Sequence, residues 1–275
     1  MTQTRAKGGL IANNIAAASQ KKPSPGSVMN KVIEGGLQKQ FETVLRDKAP
    51  GFVASLIDLY SSDSSLAECE APLVAREALK AASLDLPINK QLGFAYIVPY
   101  NKKPTFQLGY RGYVQLCQRT GAYRYINAGP VYEGELVKQD KLTGELDLTG
   151  EKESDTVVGY FAFIETLNGF RKSEYWTVDR VRKHAQRHSK AYDNGPWQEF
   201  FDEMATKTVL RNLLSKYGIM SVEMQNAYVA ESVSNADAAI SSGDADDALD
   251  TIDADYSVGD GAESASDASE EHDEG

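Results

Sequence analysis

Gly93-Phe94-Ala95-Tyr96-Ile97-Val98-Pro99-Tyr100-Asn101-Lys102-Lys103-Pro104-Thr105-Phe106-Gln107-Leu108-Gly109-Tyr110-Arg111-Gly112-Tyr113 is where this chain changes texture. Phe94–Val98 and Thr105–Tyr110 read as paired strands, because both are short, aromatic and bounded by turn residues. Asn101-Lys102-Lys103-Pro104 supplies the turn between them. Arg111 to Thr120 then reads as a helix closed by Gly121, the residue type that best tolerates a left-handed C-cap.

Upstream of this stretch the pattern is helical. Val28, Val32, Ile33, Leu37, Phe41, Val44 and Leu45 recur at three- and four-residue spacing, with Gly35-Gly36 weakening the middle of that helix. A second helix follows Pro50, and a third runs from about Pro72 to Leu84, stopping before Pro87. Downstream, strands fit Tyr123–Val131, Val157–Thr166 and Phe170–Thr177, with a polar hairpin over Glu135–Thr149 around Thr143-Gly144. Helical patterning returns at 177–190, at 196–217 and at 221–232. The expected fold class is α+β: a small antiparallel β-sheet core with packed helices and a helical N-terminal region. Residues 1–26 read as a flexible arm, 27–232 as one domain, and 233–275 as a disordered acidic tail too polar to bury a core.

The net charge of −11 argues at first against a nucleic-acid partner. Its distribution reverses that. Residues 231–275 hold 15 of the 40 Asp/Glu and no Lys or Arg, so the first 230 residues carry 29 basic against 25 acidic groups. A mildly basic body precedes a polyanion. Nothing approaches a membrane-spanning apolar run. The short apolar stretch after Arg5 and Lys7 is interrupted by Asn13-Asn14, unlike a secretion signal. Two cysteines, Cys69 and Cys117, build no disulfide framework and no CxxC pair; they fit a reducing cytosol as small apolar side chains within helices.

The sharpest local feature is Arg180-Val181-Arg182-Lys183-His184-Ala185-Gln186-Arg187-His188-Ser189-Lys190, with five permanent cations and no acid. On a helix, Arg180, Lys183, Arg187 and Lys190 fall on one side, and Val178, Val181, Ala185 and Tyr192 on the other. Such a row suits a phosphate backbone; a solvated helix face is the plain alternative. His184 and His188 are spaced i, i+4, but the HExxH glutamate is absent and cations surround them, so no metal site is expected. In 196–217, Trp197, Phe200, Phe201, Met204, Ala205, Val209, Leu210, Leu213 and Leu214 form a core stripe. Lys207 and Arg211 share its solvent side and extend a phosphate track or simply complement the helix dipole. Lys102 and Lys103, with Arg111, Arg119 and Arg124, lie among tyrosines, the mixture that single-strand binders use; each tyrosine alone is better explained by sheet packing. No Gly-Lys pair exists, which excludes an ordinary P-loop. No GxSxG and no carboxylate cluster for a two-metal nuclease is present. No catalytic residue and no cofactor is expected.

Gly93–Tyr100, then Gln107-Leu108-Gly109-Tyr110-Arg111-Gly112-Tyr113, then Gln118-Arg119-Thr120-Gly121, resemble the RecT family of phage and prophage recombinases. The basic segment at 180–190 and the Trp197, Phe200, Lys207, Arg211, Leu214 helix sit where that family carries its C-terminal core, and the resemblance spans roughly residues 30–225. It implies a βββα-type core and ATP-independent annealing of complementary strands in homologous recombination. It also implies oligomers on single-stranded DNA (rings or helical filaments), an annealed duplex intermediate, and a partner exonuclease in a bacterial cytoplasm. By resemblance, DNA contacts fall to Lys102, Lys103, Arg111, Arg119, Arg182, Arg187, Lys207 and Arg211; the helical-face argument adds Arg180, Lys183 and Lys190. Rival readings are a passive single-strand binder, a metal-dependent DNA nuclease, and an interaction protein whose acidic tail is the working part.

Overall fold

Ser24 starts the first helix: its hydroxyl accepts the Ser27 N–H, and Pro25 supplies a preset φ at the first helical position. The computed structural model describes residues 23–189, 192, 193, 195–219, 221, 222, 225–227, 229 and 230. The expectations for residues before 23, for Lys190 and for the tail from 231 lie outside them. Helix α1 (Pro25–Val32) therefore begins inside the stretch read as an arm. The Gly35-Gly36 pair does interrupt it: Ile33–Leu37 is a wider π-type turn with Gly36 at φ 153°, before α2 (Gln38–Leu45) resumes. Helices α3 (Ala49–Ser62), α4 (Ser64–Ala67) and α5 (Ala71–Ser83) complete the N-terminal helical region. Short α4 carries too little periodicity to be read from sequence. Asp63 nucleates it by accepting the Ser65 and Leu66 N–H groups. Cys69 follows it in a turn rather than in a helix, and is buried, as is Cys117.

Helix α5 is the hub. Its buried face is Ala71, Val74, Ala75, Ala78, Ala81 and Ala82, small enough for α1, α2, α3 and a β-hairpin all to pack on it. That hairpin is β1 (Ala95–Tyr100) and β2 (Lys103–Leu108), antiparallel from Ala95–Leu108 to Tyr100–Lys103. Asn101 and Lys102, at φ 48° and 65°, make the two-residue turn, whose positive φ values match strand twist. Glu77 of α5 accepts the Phe106 N–H at 2.7 Å, satisfying a backbone donor where helix meets hairpin.

Helix α6 (Tyr110–Arg119) follows and ends at Gly121, φ 64°, as its sequence suggests. Then comes a three-stranded antiparallel sheet in the order β3 (Tyr123–Tyr132), β6 (Val157–Thr166), β7 (Arg171–Thr177). Between β3 and β6 a small hairpin, β4 (Lys138–Gln139) and β5 (Leu146–Asp147), forms a separate two-stranded piece. The sheet is thus not one but three antiparallel pieces, and the fold is mixed helix and sheet of α+β type.

Helices α7 (Val178–His188), α8 (Pro196–Glu199) and α9 (Phe201–Tyr217) follow, and beyond them the described residues 222, 225–227, 229 and 230 are helical, within the stretch expected as a helix. The sequence reading joined α8 and α9. Phe200, at φ −133° and ψ 52°, breaks them, and its ring is 52% exposed instead of lying on the core stripe. The rest of that stripe holds: Trp197, Ala205, Val209, Leu210, Leu213 and Leu214 are buried against the sheet. Tyr160, Ala162 and Ile164 of β6 face them, in one continuous core with the N-terminal helices. Among the described residues no helix is long and apolar enough to cross a membrane.

Candidate nucleic-acid interface

Helix α7 is positioned from below. The Thr177 hydroxyl accepts the Arg180 N–H and starts it, and Val181 and Ala185 anchor it in the core. Burying that side leaves Arg180, Arg182, Lys183 and Arg187 exposed, as the helical spacing dictates. Their environments differ. Arg180 lies 4.2 Å over the Trp176 ring, with its guanidinium 3.8 Å from Glu174, whose carboxylate also accepts the Trp176 indole N–H at 2.8 Å. A cation held over an aromatic face keeps its charge while losing conformational freedom. Arg182, outside that row, pairs with Asp179 at 3.0 Å, one turn back. Lys183 has no ion-pair or hydrogen-bond partner among the described residues. The Glu174–Trp176–Arg180 cradle escaped the sequence reading. Its signal was there: Trp176 stands four residues before Arg180, across a strand-to-helix junction.

His184 and His188 lie one turn apart on α7. His184 packs edge-on to Trp176, with ring centroids 5.1 Å apart, and His188 stacks beside His184 at 4.5 Å. Among the described residues no group of three His, Cys, Asp or Glu is placed to hold a metal.

Helix α9 lies on the same face of the sheet as α7. Lys207 and Arg211 are half-buried on it, each with a contact to a neighbouring group. Two helices therefore bring cations to one side of one sheet. The third expected group is elsewhere. Lys102 sits at the β1–β2 turn, 3.4 Å from Glu68, and Lys103 is half-buried beside it; both ride on the hairpin that packs against α5. Arg111 is exposed and reaches the Leu92 carbonyl at 3.3 Å. Arg119 donates to the Leu84 and Asp85 carbonyls at 2.6 and 2.7 Å, tying α6 to the end of α5. That is a fold-holding role for its guanidinium, which satisfies carbonyls a helix end leaves open.

Burial decides the protonation of the nearby aromatic and thiol groups. It pushes the Cys117 thiol up to about 12. It also raises the Tyr160 phenol, which donates to Asp202 of α9. Neither is an accessible nucleophile at neutral pH.

The chain matches the family described as "RecT family" over residues 50–244. It is 48% identical over 225 residues to "Uncharacterized protein YqaK" of Bacillus subtilis (strain 168), covering 80% of this chain and 78% of that protein. It is 31% identical over 176 residues to "Protein RecT" of Escherichia coli (strain K12), covering 59% of this chain and 64% of that one.

Proposed function

The chain belongs to the RecT family and so is a single-strand annealing protein of DNA recombination; on that premise we propose that it binds single-stranded DNA along α7 and α9 and anneals complementary strands without ATP. The observation that carries this is α7 itself, a helix whose packed side is fully used and whose open side is cationic. Phosphates would meet Arg180, Lys183 and Arg187 first, with Lys207 and Arg211 of α9 continuing the track and Arg182 at its margin. Such contacts give affinity without sequence preference and leave specificity to base pairing. Lys102 and Lys103 at the β1–β2 turn and Arg111 at the opposite end of that hairpin lie apart from this track, suited to a strand that leaves one subunit for the next.

Annealing needs no chemical step, only a strand held extended while its bases are tested. Assembly into a ring or filament would set many weak sites in register, and a partner exonuclease would supply the single strand. The helices between residues 28 and 86 are the candidates for subunit contacts. Met29, Ile33, Phe41 and Leu56 lie in the common core, so deletion there would open the fold. Substitution of exposed Val44 is the better probe of assembly.

A sequential annealing assay tests the reading. Protein is loaded on one labelled strand without nucleotide, and a complementary or unrelated strand is added. A stable complex with both strands, formed only with the complement, is expected. First-strand binding with no gain from the complement would leave a passive binder, and strand shortening that needs Mg²⁺ would point to a nuclease.

A further inference from the structure

The far face of the β3–β6–β7 sheet has a composition of its own. Tyr160, Ala162 and Ile164 are buried on the α9 side and Trp176 on the α7 side, so strand alternation turns their neighbours away from both helices. On β6 these are Phe161, Phe163 and Glu165, and on β7 Arg171, Ser173 and Tyr175. Tyr125, Asn127 and Gly129 stand opposite them on β3.

Two observations make this face a surface rather than a leftover. The first is its aromatic content. Tyr125 is 60% exposed, and Phe161 and Phe163 are only half-buried although they sit on the central strand. A Cβ on Gly129 would lie 3.6 Å from the Phe161 ring, and one on Gly159 would collide with the Tyr175 ring at 2.5 Å. The Tyr175 ring therefore occupies the space over the bare backbone of Gly159, and the edge of the Phe161 ring reaches across to Gly129.

The second is a carboxylate between two guanidiniums. Glu165 is 5% exposed and meets Arg124 Nη1 and Arg171 Nε, each at 2.9 Å. The two arginines are 50% and 65% exposed, and Glu165 is their one partner among the described residues. A buried carboxylate needs partners, but one arginine would serve. Two leave a surplus positive charge with most of its N–H donors uncommitted, fixed at the Tyr125 end of the face.

We propose that this face is a second contact for single-stranded nucleic acid, with bases lying on Tyr125, Phe163 and Phe161 and phosphates on Arg124 and Arg171. The proposal rests on the reading of the chain as a DNA-annealing protein and adds a base-holding surface across the sheet from the α7 and α9 cations. Flat rings beside guanidiniums match the two halves of a nucleotide at once, and stacking of this kind tolerates any base. The β4–β5 hairpin sets the strand's path. It stands at the β7 edge, where Lys172 donates to the Thr143 carbonyl at 3.1 Å, and bounds a cleft of about 550 Å³ against Phe163 and Arg171. On the hairpin's side of the cleft Asp140, Glu145 and Asp147 outnumber Lys138, while Arg171 and Lys172 line the β7 side, so phosphates are favoured on the sheet side of the cleft.

The test compares the full chain with Tyr125→Ala/Phe163→Ala and Arg171→Gln variants, using labelled oligo(dT) and an abasic strand of equal length. Wild type should prefer oligo(dT). The double variant should lose that preference, weakening oligo(dT) binding about tenfold or more with abasic binding and melting temperature unchanged. Arg171→Gln should weaken both probes. A preference that survives in a folded double variant overturns the proposal; if DNA-free sedimentation also shifts to smaller species, the face is a contact between copies instead. Failure of wild type to bind either probe at low salt would sink the DNA reading as a whole. Should the double variant not fold, an iodouracil strand crosslinked to wild type decides: adducts at Tyr125, Phe161 or Phe163 support the site, and adducts confined to residues 180–211 overturn it.

Discussion

Arg180 is held by residues four and six positions before it, and that arrangement makes its charge tunable. Glu174 partly neutralises it at 3.8 Å, while Trp176 fixes its plane at 4.2 Å. Arg180→Ala should weaken single-strand binding about fivefold, and Glu174→Gln should tighten it by up to about fivefold, the range of a half-exposed ion pair. Anisotropy titrations at low salt measure both; equal losses in the two variants would mean that the cradle only stabilises the fold. Asp63 illustrates a residue whose charge serves folding. Burial raises its carboxyl, but Lys90 and the Ser65 and Leu66 N–H groups overcome this and hold it below the ordinary value. A carboxyl lowered in the folded state adds stability above its unfolded pKa of about 4. That stability disappears as pH falls through the folded value. Asp63→Asn keeps a capping oxygen but loses the charge opposite Lys90. It should therefore cost about 1 kcal/mol at neutral pH and show a smaller drop in melting temperature between pH 5 and 3 than wild type. Neither device follows from periodicity, because each joins residues through a junction or a turn that periodicity does not describe.

At the scale of elements, close approach explains the glycines of the segment that decided the fold. A Cβ on Gly109 would lie 2.1 Å from the Gly93 carbonyl oxygen, and one on Gly112 would lie 2.2 Å from that of Phe94. Backbone cannot yield as a side chain can, so α6 sits where it does only because both positions are bare. Gly112→Ala should destabilise by about 3 kcal/mol or more, read as a lower urea midpoint with unchanged slope. Helix α7 was legible from its spacing, since Val181 and Ala185 could only be its packed side. Strand positions were legible from alternation and turn residues. The break at Phe200 was not, because an aromatic residue in a helical stripe looks the same whether buried or turned out. The far face of the sheet was missed for a related reason: Phe161 and Phe163 alternate with Tyr160, Ala162 and Ile164, so both faces of β6 look apolar and neither declares itself open. For α7 as an element, Lys183→Ala should lower the magnitude of the salt slope of single-strand binding by about 0.7, one phosphate contact's worth. An unchanged slope would return that lysine to the class of solvated charges.

At the scale of the whole molecule, charge is divided along the chain. The first 230 residues carry four more basic than acidic groups, and the residues after 232 add 14 acidic groups with no Lys or Arg. A polyanion tethered to a cationic surface competes with DNA at an effective concentration set by the tether, without needing any specific fold. Competition of this kind is screened: the Debye length falls from about 30 Å at 0.01 M to about 3 Å at 1 M salt. A chain ending at Ser232 should therefore bind single-stranded DNA several-fold more tightly at low ionic strength and with a steeper salt slope. Its affinity should converge on that of the full chain as salt is raised. Titrations of both chains across a salt series make the comparison. Parallel curves with no offset would leave the tail as a solubilising segment, or as a docking peptide around Ala248-Leu249-Asp250-Thr251-Ile252, and would put the control of DNA affinity wholly within the folded body.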